Sequence, residues 1–135
     1  LDDLKRNLQS LANSISSKLN ERQGYLDKAD EIQKVYDRLA RDKKTIKEYR
    51  NDIVYFYKES YNEFKGDNYK YTYKPSIQDL RDSYDDVISN IDINLDALNN
   101  QILSYKNKAS GCLGSLGYMQ IAYNSVKTQI QNWTN

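Results

Sequence analysis

The chain has no histidine, one cysteine, one proline, one tryptophan and five glycines in 135 residues. Each scarcity excludes something. Without histidine it lacks the side chain most often used to move protons and bind metals near neutral pH. The single cysteine, Cys112, allows no disulfide within the chain and no multi-cysteine metal site. With Leu113 and Leu116 beside it, Cys112 reads as a packed thiol rather than a reactive one. One proline leaves long stretches free to run as uninterrupted helix. A charge bias is also missing: 20 Lys and Arg stand against 19 Asp and Glu, for a net charge of +1. Such a balance gives no electrostatic footprint for nucleic acid or anionic lipid. No apolar run approaches the roughly 18 residues a membrane-spanning helix needs, so stable membrane insertion is not expected. The sequence begins at Leu1 rather than methionine, which leaves room for a removed segment before it.

What the chain does have is tyrosine, 13 residues of it, and charge, at 29% of positions, with a mean hydropathy of −0.91. That composition builds a narrow apolar seam more easily than a thick core. From residue 77 onward the seam is regular. Ile77, Leu80, Tyr84, Val87, Ile91, Leu95, Leu98, Ile102, Tyr105, Ala109, Cys112, Leu116, Met119, Tyr123, Val126, Ile130 and Trp133 follow steps of three and four, with one extra step of four. This predicts a heptad helix carrying a single stutter. Ser76, with Asp79 three residues on and Pro75 before it, resembles a capping box at the helix start.

The first part of the chain repeats the pattern less cleanly. Leu1, Leu4, Leu8, Leu11, Ile15 and Leu19 open a stripe that Leu26, Ile32, Tyr36, Leu39, Ile46, Ile53 and Tyr57 continue. Arg22, Lys43 and Arg50 fall on or near it. A charge there weakens a two-helix seam, although its stem can lie along the seam while its head reaches water. Further apolar residues (Leu26, Val35, Phe56, Ile88, Ile93, Leu103, Leu113 and Ile121) fall beside the stripes. They either widen the seam or take further helices from a partner.

Between the stripes lies YFYKESYNEFKGDNYKYTYKP, residues 55–75, with six of the tyrosines and the only proline. Lysines alternating with tyrosines can stack on bases or sugars, but three lysines on a neutral chain make a weak groove. A turn is the simpler reading, because tyrosine covers the last apolar layer and keeps its hydroxyl in water. The expected architecture is therefore all-α: one helical domain over 1–135, with arm 1 at about 1–63, a turn at 64–75 and arm 2 at about 76–133. Unbroken, each arm would extend roughly 85–95 Å. The arms pair as a long antiparallel hairpin, coiled-coil-like, unless the C-terminal helix folds back into a bundle.

The glycines bear on that choice. Gly111, Gly114 and Gly117 sit on arm 2 and Gly24 on arm 1, and each costs about 1 kcal/mol in a helix interior. They imply a close approach of helices, a bend, or a true break. If Gly24 and Gly114 are level, the hairpin folds at residue 69.

Phe64-Lys65-Gly66, an aromatic and a glycine between two helical arms of a histidine-free chain, resembles the turn of the WXG-type small secretion proteins of Gram-positive bacteria. FKGDNYKYTYKPSIQDLRDSYDDVISNIDINLDALNNQI resembles still more the small WXG-like helical proteins encoded beside LXG toxins. The likeness covers about residues 30–109, and Phe64 stands where the family usually has tryptophan. The resemblance implies a targeting chaperone or adaptor of the type VII secretion system. It would bind the helical N-terminal domain of a larger secreted toxin, or a second small WXG-like protein, with Phe64 and Gly66 shaping the turn and the recognition surface. It implies residence in the bacterial cytoplasm, or secretion together with the partner.

No catalytic constellation, phosphate-cradling loop, metal set or cofactor motif is present, so an enzyme is not expected. The competing classes are a structural coiled-coil spacer or stalk that forms a homo-oligomer, and an amphipathic membrane-active protein using residues 111–123.

Overall fold

A computed structural model describes the backbone of residues 1–63 and 74–134, and the side chains of residues 1–57 and 74–134. Phe64 and Gly66 lie outside the described residues. The chain is an all-α helical hairpin of two helices, α1 (Asp2–Glu63) and α2 (Lys74–Thr134).

Local chemistry explains the ends. Asp2 and Asp3 occupy the first turn of α1, where negative charge complements the helix dipole. The carbonyl of Leu1 accepts from the Lys5 amide at 2.9 Å. At the far end of α2 the Thr134 hydroxyl donates to the carbonyls of Ile130 and Gln131 at 3.2 and 3.1 Å, in the last turn, where carbonyls lack amide partners within the helix. The start of α2 differs from expectation. Lys74 and Pro75 belong to the helix, not to the turn, and Ser76 lies within the first turn. Proline's missing N–H costs nothing there, because first-turn amides have no partner inside the helix.

Packing sorts the chain into two units. One joins residues 1–32 to 100–135; the other comprises residues 33–99. In the first, the Tyr25 and Tyr105 rings lie 6.3 Å apart, and Ala12 and Ile15 share a groove with Gln120 and Tyr123. In the second, Arg50 meets Asp85 and Lys43 meets Asp92. Pairing that descends on one helix as it rises on the other is antiparallel, and it is so within each unit.

The seam is more regular than the apolar residues alone predict. On α1 the positions 1, 4, 8, 11, 15, 18, 22, 25, 29, 32, 36, 39, 43, 46, 50, 53 and 57 are all buried or half-buried. They span 56 residues in 16 steps, 3.5 per step. On α2 the same holds at 77, 81, 84, 88, 91, 95, 98, 102, 105, 109, 112, 116, 119, 123, 126 and 130. The expected stutter is absent. Leu80 and Val87 are 48% and 45% exposed, and Arg81 and Ile88 occupy the seam in their stead. On α1 the half-exposed Leu19 yields its place to Lys18. Trp133, expected on the seam, is exposed. The reason is geometric. A seam facing one partner must recur every 3.5 residues, so an arginine or lysine in register lays its stem there before a leucine out of register can.

Among the described residues the buried hydrophobic ones are Ala29, Ile91, Leu95, Ile102, Ala109, Cys112, Leu116 and Val126. Seven of these eight lie on α2, because α1 places Lys18, Arg22, Lys43 and Arg50 on its own stripe. The expectation of a packed Cys112 agrees with its burial.

Candidate partner-binding surface

The two flanks of the seam in residues 33–99 differ in kind. One flank is electrostatic. The Arg50 Nε donates to Asp85 Oδ1 at 2.8 Å across the helices, with both side chains partly exposed, and Lys43 makes the matching pair with Asp92. The sequence segregates charge to favour this: residues 33–57 hold seven Lys and Arg against four Asp and Glu, and residues 74–99 hold two against six. Val54 and Gln78 line a small groove on the same flank with Ile53, Tyr57, Ile77 and Arg81.

The opposite flank is apolar and open. Val35, Tyr49 and Phe56 stand at multiples of seven residues on α1, with Asp42 at the intervening place, and Leu80 and Val87 stand seven apart on α2, so each set lies along one side of its helix. All five are between 45% and 55% exposed. The neighbouring outward positions Ser83 and Asn90 are uncharged. Apolar side chains repeating beside a seam on both helices are what a third helix packs against.

In the other unit a polar belt crosses the seam. Lys18 Nζ donates to Glu21 Oε2 at 2.8 Å, and the Tyr25 hydroxyl donates to Glu21 Oε1 at 3.3 Å. The hydrogen bond and charge of Glu21 hold the Lys18 ammonium above its ordinary pKa, and Lys18 in turn holds the Glu21 carboxyl below its own. The Glu21 charge, then burial, pushes the Tyr25 hydroxyl up. Lys108 Nζ stands 5.8 and 5.1 Å from the centres of the Tyr25 and Tyr105 rings, and Lys28 Nζ stands 6.0 Å from Tyr105, within range of cation–π attraction. One atom of the belt is unsatisfied: the buried Nε of Arg22 has no hydrogen-bond partner.

Beyond the belt, residues 109–126 carry no charge at all. Here two of the three glycine expectations, the close approach and the break, are corrected. A Cβ added at Gly24, Gly111, Gly114 or Gly117 would meet no atom within 4 Å, so among the described residues no helix approaches them closely. All four are exposed, and α2 runs through 111–117 without a break. Gly24 stands about one turn from level with Gly114: the register that sets Ile15 by Gln120 puts it opposite Gly111. The glycines face outward, amid exposed Leu103, Leu113, Tyr118 and Ile121.

Of the flanking apolar residues singled out from sequence, Val35, Phe56, Ile93, Leu103, Leu113 and Ile121 are exposed, whereas Ile88 is on the seam and Leu26 is half-buried beside it. Sequence reasoning misses Tyr49, Leu80 and Val87 as surface residues, the first because tyrosine ranks low in hydropathy and the others because it assigns them to the seam. Among the described residues no helix is long and apolar enough to cross a membrane, and no three Cys, Asp or Glu side chains gather as a metal ligand set. No family model matches the chain, and no curated protein and no solved structure matches it either.

Proposed function

We propose that this protein is a non-enzymatic adaptor that binds helices of a larger partner along the open flank of residues 33–99. The observation that carries this is the unfinished packing of the hairpin. Among the described residues no large side chain is fully buried, while Val35, Tyr49, Phe56, Leu80 and Val87 remain about half exposed on one flank. Each has about 1 kcal/mol of burial still to gain, so covering the five contributes about 5 kcal/mol. Association itself costs about that much or more. One short helix would therefore bind weakly, and a partner offering two helices, or a long one, is what the flank suits. The resemblance of FKGDNYKYTYKPSIQDLRDSYDDV to the small WXG-like proteins gives the partner class: the helical N-terminal domain of an LXG-type toxin, delivered from the cytoplasm to the type VII secretion machine.

The test is thermal unfolding of this chain with and without the helical N-terminal region encoded by its large genomic neighbour. A partner that binds only the folded form raises the melting temperature with its concentration. Stabilisation together with a defined complex supports the adaptor. No shift well above micromolar concentration, with a stable homo-oligomer of the chain alone, replaces it by the spacer or stalk.

A further inference from the structure

Arg22, Lys43 and Arg50 occupy the same heptad place on α1, being separated by 21 and 7 residues. Two of the three are neutralised across the hairpin by one rule: the numbers of Lys43 and Asp92, and of Arg50 and Asp85, both add to 135. Applied to Arg22 the rule names residue 113, which stands at the same heptad place on α2 as Asp92 and Asp85. The rule also holds in Arg22's own unit, where Ile15 and Gln120, one heptad away along each helix, line a single groove. Residue 113 is leucine, and it is 51% exposed. Among the described residues Arg22 has no carboxylate partner, and no protein acceptor reaches its buried Nε. A buried donor left unpaired is costly. Where the two sister cations have an aspartate at the matching place on α2, Arg22 has an uncovered leucine.

That leucine is not alone. Ala12 and Gln120 share one groove, which fixes them on the same flank. Leu19 and Leu26 stand one and two heptads from Ala12, and Leu113 stands one heptad from Gln120, so all line that flank. Leu19 is 49% exposed. The chain cannot complete this surface itself. From Leu4 to Leu26 its only carboxylate is Glu21, already engaged by Lys18 and Tyr25, and no acidic residue follows Asp96. A second copy laid alongside in register brings Arg22 no free carboxylate.

We infer that this flank is a second docking surface, for an acidic amphipathic helix from a different protein, whose apolar stripe covers Leu19, Leu26 and Leu113 and whose carboxylate pairs with Arg22. Lys5, Lys106 and Lys127 hold the same heptad places as Leu19 and Leu113 on their helices, and no carboxylate holds those places from residue 5 to 26 or from 106 to 127, which favours an acidic occupant over a basic one. The inference rests on the adaptor reading only in taking a partner's helix as the occupant.

The test uses the full chain and a labelled three-heptad peptide with leucine at its seam positions and glutamate beside them. The same peptide with lysine for glutamate is the control. Like charges keep each peptide from pairing with itself. Anisotropy titrations at physiological salt should show the glutamate peptide binding about tenfold tighter or more than the lysine peptide. Leu113→Asp restores the missing aspartate within the chain. It should raise the melting temperature of the isolated protein by a few degrees and weaken the glutamate peptide by about tenfold. Leu103→Asp adds the same charge on the outward face of α2 and should change binding less than about twofold. Arg22→Gln should also weaken the peptide about tenfold, and it keeps the test decisive if Leu113→Asp does not fold. Equal binding of the two peptides, or indifference to Arg22→Gln, overturns the inference. So does self-association of the chain that Arg22→Gln abolishes, since the occupant is then a second copy. If the peptide fails while the neighbour's helical region still stabilises the chain, this surface is wrong and the adaptor stands. If both fail, both readings fall.

Discussion

Replacing Arg50 by leucine should leave the stability of the isolated chain within about 1 kcal/mol of the parent, against the intuition that breaking a cross-helix ion pair must hurt. At 2.8 Å two unit charges attract by about 1.5 kcal/mol at the dielectric of bulk water. Ordering two flexible side chains gives back much of this. The side chains of Arg50 and Asp85 are 33% and 44% exposed, so water screens the pair, and a net contribution of about 0.5 kcal/mol is reasonable. A leucine at position 50 sits on the seam and buries a little more apolar surface than the arginine stem, worth about 0.5–1 kcal/mol. Asp85, still 44% exposed, keeps its hydration when Arg50 goes, so no charge is stranded. The two changes nearly cancel.

Urea denaturation followed by circular dichroism measures this, and a cycle of Arg50→Leu, Asp85→Asn and the double variant isolates the pair. The coupling energy should be near 0.5 kcal/mol, give or take about half of that. A loss above about 2 kcal/mol for Arg50→Leu, or a coupling of that size, would refute the reasoning and make the pair a true support of the fold. The same argument gives the seam cations a different task. A heptad of pure leucine accepts any partner and slips by whole heptads, whereas a polar residue on the seam fixes register at some cost in stability. Lys43→Leu combined with Arg50→Leu should therefore self-associate more strongly than the parent in sedimentation, even if it melts higher.

Three further outcomes are expected. Val87→Asp should abolish stabilisation by the partner's helical region while shifting the melting temperature of the chain alone by only a degree or two, since the side chain is nearly half exposed and such surface changes are mild; equal loss of folding would place Val87 in the core. Gly114→Ala should stabilise by about 1 kcal/mol, because it lies in a helix interior with nothing within 4 Å of the added methyl, and a destabilised variant would mean something packs on that face. Glu21, whose carboxyl is held below its ordinary 4.5, lends stability that is present above that value and lost as pH falls through its lowered folded-state pKa; acid titration of Glu21→Gln should show a shallower decline than the parent, and identical curves would deny the Lys18–Glu21 pair any part in it.

The hairpin is legible because its signals are local and redundant. Two apolar stripes, one proline and a tyrosine-rich interval between them permit few other folds. The details go astray where hydropathy and register disagree. Reading Leu80 and Val87 as seam residues forces a stutter; reading Arg81 and Ile88 there removes it. No scale of residue preference favours the arginine, and only the constraint that a seam face one partner over its whole length does so. The glycines mislead for a related reason. Helical glycines are informative about contacts only when something is near, and among the described residues nothing beyond the local helix comes within 4 Å of a Cβ at Gly111, Gly114 or Gly117.

The surfaces are the least visible part, yet their signature is in the sequence once the register is known. Leu113 looks like any other leucine until it is set against Asp85 and Asp92, which stand 28 and 21 residues before it at the same heptad place. Four heptads separate residue 113 from residue 85, so the substitution of leucine for aspartate is a change within a repeating frame. Had the chain needed only internal stability, an aspartate at 113 would have served Arg22 as its counterparts serve Arg50 and Lys43. A leucine there forfeits the pair and exposes an apolar side chain, two costs to the isolated hairpin. Both are recovered together by a helix that brings an acid and an apolar stripe. Two faults at one level of the seam that share one remedy make a stronger case for a docking surface than an exposed leucine would alone.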